Sequence, residues 1–161
     1  MDARRLAVKG HQAAVSNDSL SFTLFNELSA VPCAAEQVKA FCRDRDIPGP
    51  IAYKFGLALD ETLTNAISYA FHDGRPHRIE VRVEKRDGHL TAIVSDDGEP
   101  FDPLSQPAPD IHAPVEDRKI GGLGIHLLRT LMDTVEYRRL GGRNNLTFRI
   151  RVAETPSSQQ R

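Results

Sequence analysis

Cysteine is scarce in this chain, and where it stands excludes a disulfide framework. Only Cys33 and Cys42 occur. Both fall on one predicted helix, about 13 Å apart along its axis, too far to bridge. Long apolar runs are missing too; none approaches the ~20 residues that span a bilayer. Charge of one sign is missing: 21 basic against 22 acidic residues leave a net charge of −1. No global field therefore draws the protein to nucleic acid or to an anionic membrane. The first residues, Met1 to Leu6, lack the apolar core of a secretion signal. Free thiols without a signal lead us to expect a cytoplasmic protein. The six histidines are scattered, with no pair at i,i+4, which argues against a structural zinc site.

What is present is ordinary in amount and ordered in pattern. A chain of 161 residues, 40% apolar and 27% charged, suits one globular domain. We divide it into an N-terminal arm over 1–18, a domain over 19–153 and a disordered tail over 154–161. The arm shows no sustained period and is read as a mobile segment or an accessory strand. Leu20, Phe22 and Leu24 alternate with Ser21 and Thr23, as in a half-buried strand. Pro32 suits the first turn of a helix to about Arg45, with Val31, Ala35, Val38 and Phe41 or Cys42 facing inward. Pro48-Gly49-Pro50 breaks it. The next helix runs to about Phe71, with Leu59, Leu63, Ala66, Ile67 and Ala70 on one apolar face.

Two strands follow with clear alternation, Ile79/Val81/Val83 and Leu90/Ala92/Val94, joined by the hairpin turn Asp87-Gly88. Between Pro100 and Pro114 lie five of the ten prolines without periodicity, which predicts a lid-like loop. A helix from about Gly124 to Met132 and two further strands, around Tyr137 and Phe148, complete the chain. Hairpin-connected strands with helices to one side predict an α+β two-layer sandwich on a mainly antiparallel sheet. Phe22, Phe25, Phe41, Phe55 and Phe71 read as core, not as a base-stacking platform.

Three segments carry candidate chemistry. Glu61 and Asn65 stand four apart, so they point the same way on their helix. A carboxylate and a carboxamide so placed can serve a metal, a proton transfer or a structural hydrogen bond. Next, Asp96-Asp97-Gly98 ends a strand. Parity puts Asp96 on the same face as Leu90, Ala92 and Val94, where a carboxylate is costly without a donor. The exocyclic amine of a purine is such a donor, and Gly98 lets a planar ring approach. A solvated Asp-Asp-Gly turn is the other reading. Last, Gly121-Gly122-Leu123-Gly124 opens a helix and exposes successive backbone N–H groups, a common way to hold phosphates. It is neither a Rossmann fingerprint nor a P-loop.

Together, Glu61-x-x-x-Asn65, Asp96-x-Gly98-x-x-Phe101 and Gly122-x-Gly124 resemble the motifs of the Bergerat-type ATP-binding fold of gyrase and sensor histidine kinases. Within it the chain looks like the anti-sigma factor serine/threonine kinases of bacterial partner-switching pathways, over about residues 18–152. The resemblance implies a mainly antiparallel sheet covered on one face by three helices, with ATP and Mg²⁺ as cofactors. It implies that Asn65 holds the Mg²⁺ and that Glu61 takes the proton of the attacking hydroxyl. Asp96 would accept from the adenine amine beside Gly98, and Thr147 would support the adenine through Asp96. Gly122, Leu123 and Gly124 would wrap the phosphates under a lid over 102–120. The implied partners are an anti-sigma factor antagonist as protein substrate, a sigma factor, and a second copy of the chain in a homodimer; nucleic acid and membrane are not among them. Ile120 stands near where some members have an arginine reaching the γ-phosphate. This motivates a rival expectation, a nucleotide-gated, non-catalytic module that sequesters a sigma factor or another regulator.

Overall fold

Alternation of apolar and polar residues dictates the sheet. In the computed structural model, which describes residues 7–8, 11–105 and 122–152, seven strands form a single sheet. They are β1 (Ala7–Val8), β2 (His11–Val15), β3 (Ser19–Phe25), β4 (Arg78–Arg86), β5 (His89–Asp96), β6 (Thr134–Leu140) and β7 (Arg143–Arg151). Their order across the sheet is β1-β2-β3-β4-β5-β7-β6, and every neighbouring pair is antiparallel. Ile79, Val81 and Val83 of β4 are buried, whereas Arg78, Glu80 and Arg82 are exposed. Asp87 and Gly88 both adopt positive φ, 49° and 69°, the left-handed pair that a tight two-residue hairpin needs.

Three helices cover one face of this sheet: α1 (Val31–Arg43), α2 (Gly49–Tyr69) and α3 (Gly122–Leu131). Each buries an apolar stripe against the inner sheet residues. In α1 the stripe is Val31, Ala34, Val38, Phe41 and Cys42, so Ala34 takes the inward place that the sequence assigns to Ala35. In α2 it includes Phe55, Ala58, Leu59, Leu63 and Ala66, with Pro50 in the first turn, where its missing N–H costs nothing. Phe55 meets Phe148 of β7 with ring centroids 5.1 Å apart. Truncating Leu59 or Leu63, both fully buried, to alanine would cost about 2–5 kcal/mol.

The expected α+β sandwich is therefore present, with its helices on one side. The N-terminal arm is partly structured: residues 13–15 pair with β3 through Ala13↔Phe22, Ala14↔Ser21 and Val15↔Leu20, and residues 11–12 pair with β1. The predicted lid lies mostly outside the described residues, which resume at Gly122 after Ser105; the predicted tail also lies outside them. Among the described residues, no helix is long and apolar enough to cross a membrane.

Candidate functional site

Helix geometry sets the first wall. Four residues along α2 bring Glu61 and Asn65 to one side, and α3 packs against that side. The approach is close: a Cβ built on Gly124 would stand 2.0 Å from Glu61 Oε2. Only glycine at this position leaves the carboxylate where it is. Asn65 is buried, and among the described residues its Nδ2 has no hydrogen-bond partner. Leaving a buried amide N–H unpaired costs about 1–3 kcal/mol, so this N–H calls for a partner, such as a water or a bound ligand. Asp60, next to Glu61, also has a buried oxygen, Oδ1, with no partner among the described residues. Burial first, and then the charge of Glu61, raise its pKa.

The second wall is the end of β5. Asp96 lies on the inner face, as strand parity predicts, and is 4% exposed. Its Oδ1 accepts two hydrogen bonds, from the Gly98 backbone N–H at 2.9 Å and from Asn144 Nδ2 at 2.8 Å. Among the described residues nothing donates to Oδ2. Burial pushes the carboxyl upward from its ordinary range, while the Asn144 and Gly98 donors pull it back. Asp97 beside it adds to the rise, and Arg143 opposes it. Gly98 packs under the end of α2, where an added Cβ would lie 2.5 Å from the Ala70 carbonyl oxygen. The Glu99 N–H donates to that same carbonyl at 2.8 Å, so the turn after Asp96 is pinned to α2.

Between the walls is a cleft. Thr62, Asn65 and Ala66 of α2 line it, with Val94 and Asp96 of β5, and Phe101 and Pro103 beyond them. Ile125, Tyr137, Asn144 and Leu146 complete it. Apolar sides with a carboxylate and an amide at defined points suit a flat heterocycle carrying a donor. The residues fit a nucleotide: among the described residues Asp96 Oδ2 has no donor, and the Asn65 amide nitrogen is left free to donate to a ligand oxygen. The Asn65 amide oxygen is the group suited to a hard cation such as Mg²⁺ at the phosphates. Among the described residues, no cluster of three or more His, Cys, Asp or Glu side chains forms a metal site.

Of the expected site residues, Asn65 and Asp96 line this cleft; Gly98 packs against Asp96 and Ala70, and Gly124 meets Glu61 next to the lining residue Ile125. Gly122 and Leu123 form the first turn of α3. Thr147 is not brought to it. It pairs with Ile93 and Glu136 and lies on the outer face of the sheet, opposite to Asp96. The residue facing Asp96 across the ladder is Asn144. Sequence reasoning missed Asn144, and with it Tyr137 and Arg139 of β6, which hydrogen-bond to its side chain. One signal was available: Asn144 shares parity with Leu146, Phe148 and Ile150, so a polar residue stands at an inward position.

Residues 25–150 match the histidine kinase-like ATPase domain. Serine/threonine-protein kinase BtrW of Bordetella bronchiseptica is 30% identical over 98 residues, which are 61% of this chain and 69% of that protein. The serine-protein kinase RsbW of Bacillus velezensis is 34% identical over 91 residues, and that of Bacillus subtilis 32% identical over 91; each match covers 53% of this chain. The chain thus spans little more than half the length of these RsbW relatives, 56% in both cases. The crystal structure of the RsbU and RsbW domains of Rv1364c from Mycobacterium tuberculosis shares the fold. Its TM-score is 0.61 at 16% identity, over 83% of this chain and 32% of that one. The histidine kinase domain from Erythrobacter litoralis EL346 aligns with a TM-score of 0.50 at 19% identity, over 78% of this chain and 60% of that one. The matched stretch runs from the last residue of β3 into β7 and takes in every residue that lines the cleft, and the chain belongs to the histidine kinase-like ATPase domain family.

Proposed function

We propose that the chain is an ATP- and Mg²⁺-dependent protein serine/threonine kinase of the anti-sigma type, acting on a small anti-sigma factor antagonist. A sigma factor and a second copy of the chain are its further partners. The observation that carries this reading is the contact of Gly124 with Glu61, one turn from Asn65, which lines a cleft together with Asp96. The kinases BtrW and RsbW among its relatives support it.

Bound Mg-ATP supplies the phosphoryl group and a cation that neutralises charge on it. The chain's own residues do the rest. Asp96 Oδ2 accepts the exocyclic amine of the base, while Gly98 keeps the turn flat against Ala70. Asn65 offers its amide oxygen to the cation. The substrate hydroxyl oxygen forms a bond to the γ-phosphorus as the bond from that phosphorus to the departing ADP oxygen breaks. Glu61 takes the hydroxyl proton.

The test is transfer of ³²P from ATP to the cognate antagonist, comparing wild type with Glu61→Ala. Loss of transfer with ATP binding retained is expected. Undiminished transfer in the variant would remove Glu61 as the base. The second reading, a nucleotide-gated binding module that sequesters a regulator, is motivated by Ile120, which in sequence stands near the position where some members of the resembled family carry an arginine. Mg-ATP binding without phosphorylation of any partner would select it.

A further inference from the structure

Asn144 carries five hydrogen-bond contacts on one buried amide. Its Nδ2 donates to Asp96 Oδ1 at 2.8 Å and to the Glu99 carbonyl at 2.8 Å, which uses both protons. Its Oδ1 accepts from the Tyr137 hydroxyl at 2.7 Å, from Arg139 Nη1 at 2.7 Å and from the Phe101 N–H at 3.4 Å. These partners fix the orientation of the amide. Turned over, it would set oxygen against two acceptors and NH₂ against three donors. An amide with both protons committed has none for a ligand, so it reaches a bound base only through Asp96.

Asp96 Oδ1 is held by two donors, Asn144 Nδ2 and the Gly98 N–H. The free acceptor is therefore Oδ2, and its direction follows from the anchoring of Oδ1. We propose that Asn144 is the positioning residue that sets base specificity at this site, by holding Asp96 as an oriented, acceptor-only group that takes a 6-amino purine and rejects a 6-oxo purine. This rests on the nucleotide reading given above.

The chemistry turns on which groups face each other. An ionised carboxylate meets the amine of adenine as acceptor to donor, but meets the oxygen of a 6-oxo purine as acceptor to acceptor. A protonated carboxyl has a donor and accommodates either base. Asn144 thus guards specificity twice, by aiming the carboxylate and by favouring its charged form against burial. The other groups bearing on Asp96 are Asp97, which disfavours the charge, and Arg143, which supports it. From β6, Tyr137 and Arg139 reach the far side of the Asn144 amide, and Arg139 Nη1 also donates to the Gly98 carbonyl at 3.1 Å. Strand β6 is thereby tied into base recognition without touching the base through a charged group.

The experiment measures ATP and GTP affinity by calorimetry across the acid range for wild type, Asn144→Leu and Asn144→Thr, with thermal melting as a check on folding. Wild type is expected to prefer ATP. Asn144→Leu should lose roughly tenfold in ATP affinity at neutral pH, the worth of one hydrogen bond to a charged group. Its ATP-to-GTP ratio should contract, and the acid pH at which the preference for ATP disappears should move up. Asn144→Thr, whose hydroxyl can donate to Oδ1, should recover most of each loss. A folded Asn144→Leu whose ATP-to-GTP ratio matches wild type at every pH overturns the inference. Should that variant not fold, Tyr137→Phe, which removes one donor to Asn144 Oδ1, carries the comparison. A contracted ratio then supports the role, and an unchanged one overturns it. A wild type that binds neither nucleotide overturns the nucleotide reading itself, and this inference with it.

Discussion

Gly124 of α3 and Glu61 of α2 are so close that a methyl group on the glycine would sit 2.0 Å from Oε2 and 2.9 Å from Cδ of the glutamate. The obstructing atoms belong to the far end of a flexible side chain, so the carboxylate yields before either helix does. In Gly124→Ala, the ~1 kcal/mol gain in helix propensity offsets the cost of a displaced rotamer, about 0.5–1.5 kcal/mol. We expect a melting temperature close to wild type and modest change in ATP affinity. Phosphoryl transfer should fall by about 10²-fold or more if Glu61 is the proton acceptor proposed above, since its carboxylate is displaced. Radiolabel transfer and calorimetry on the same preparation check this. Normal transfer in the variant would show that the position of Glu61 does not matter.

Gly98 presents the opposite case. A Cβ there would lie 2.5 Å from the Ala70 carbonyl oxygen, 2.7 Å from Ala70 Cβ and 2.9 Å from Asp96 Oδ1. These are backbone and short side-chain atoms, which cannot swing aside. Gly98→Ala must push the turn off the end of α2 and strain the Glu99-to-Ala70 hydrogen bond. We expect a stability loss of about 1–3 kcal/mol by denaturant unfolding, as overpacking typically costs. Nucleotide affinity should fall with it. A variant as stable as wild type would mean that the turn can pack elsewhere.

Most of the site was legible because period and parity are local. The four-residue step put Glu61 beside Asn65, and alternation along β5 chose Asp96 over Asp97 for the inner face. What could not be read were relations between distant segments. Nothing near Gly98 in sequence announces Ala70, and nothing near Gly124 announces Glu61; both glycines are explained by a neighbour brought in by folding. Asn144 was missed because Asn144-Asn145 follows Gly141-Gly142 and looks like part of a turn. Thr147 was favoured by motif resemblance, although it shares the outward parity of Arg149 and Arg151. Strand β2 (His-Gln-Ala-Ala-Val) has only Ala13 and Val15 as apolar residues on its inward parity, with apolar Ala14 between them to break the alternation, and is paired with the next strand, β3.

Asp96 ties stability to function. Its folded pKa is raised above the ordinary 3.8, with burial the largest cause. The folded state therefore holds this proton more tightly than the unfolded chain, and the ionised carboxylate costs stability at neutral pH. That cost is relieved as pH falls through the raised folded value. Asp96→Asn removes the charge, and its Oδ1 can keep both N–H donors. Its nucleotide-free melting temperature at neutral pH should exceed wild type by about 2–4 °C per kcal/mol gained. The gap should narrow with acidification and close below the unfolded value of 3.8. ATP binding should be lost, because an amide N–H would face the base amine. A variant less stable than wild type at neutral pH would contradict the buried-charge account.

His77 places a pH-dependent tie at the same end of the sheet. Its Nδ1 lies 3.1 Å from Asp97 Oδ1, and its Nε2 lies 2.9 Å and 3.0 Å from the two oxygens of Asp73. The ring stacks on Phe71 with centroids 4.7 Å apart. Only the imidazolium can donate from both nitrogens. The hydrogen bond to Asp73 raises the His77 pKa most, burial opposes it, and the bond to Asp97 adds to the rise. Because the folded value is raised, the contribution is complete below the ordinary 6.5 and is lost as pH rises through the folded value. On the acid side Asp73, whose pKa is lowered chiefly by the Arg75 N–H and then by His77, sets the limit. Its contribution disappears as pH falls through that depressed value. His77→Gln should therefore melt below wild type at about pH 5–6, and the two should converge in mild alkali. The gap should shrink at high salt, since these side chains are partly exposed. Parallel melting curves for the two proteins from acid to alkali would show that the bridge from Asp73 to Asp97 has no energetic weight.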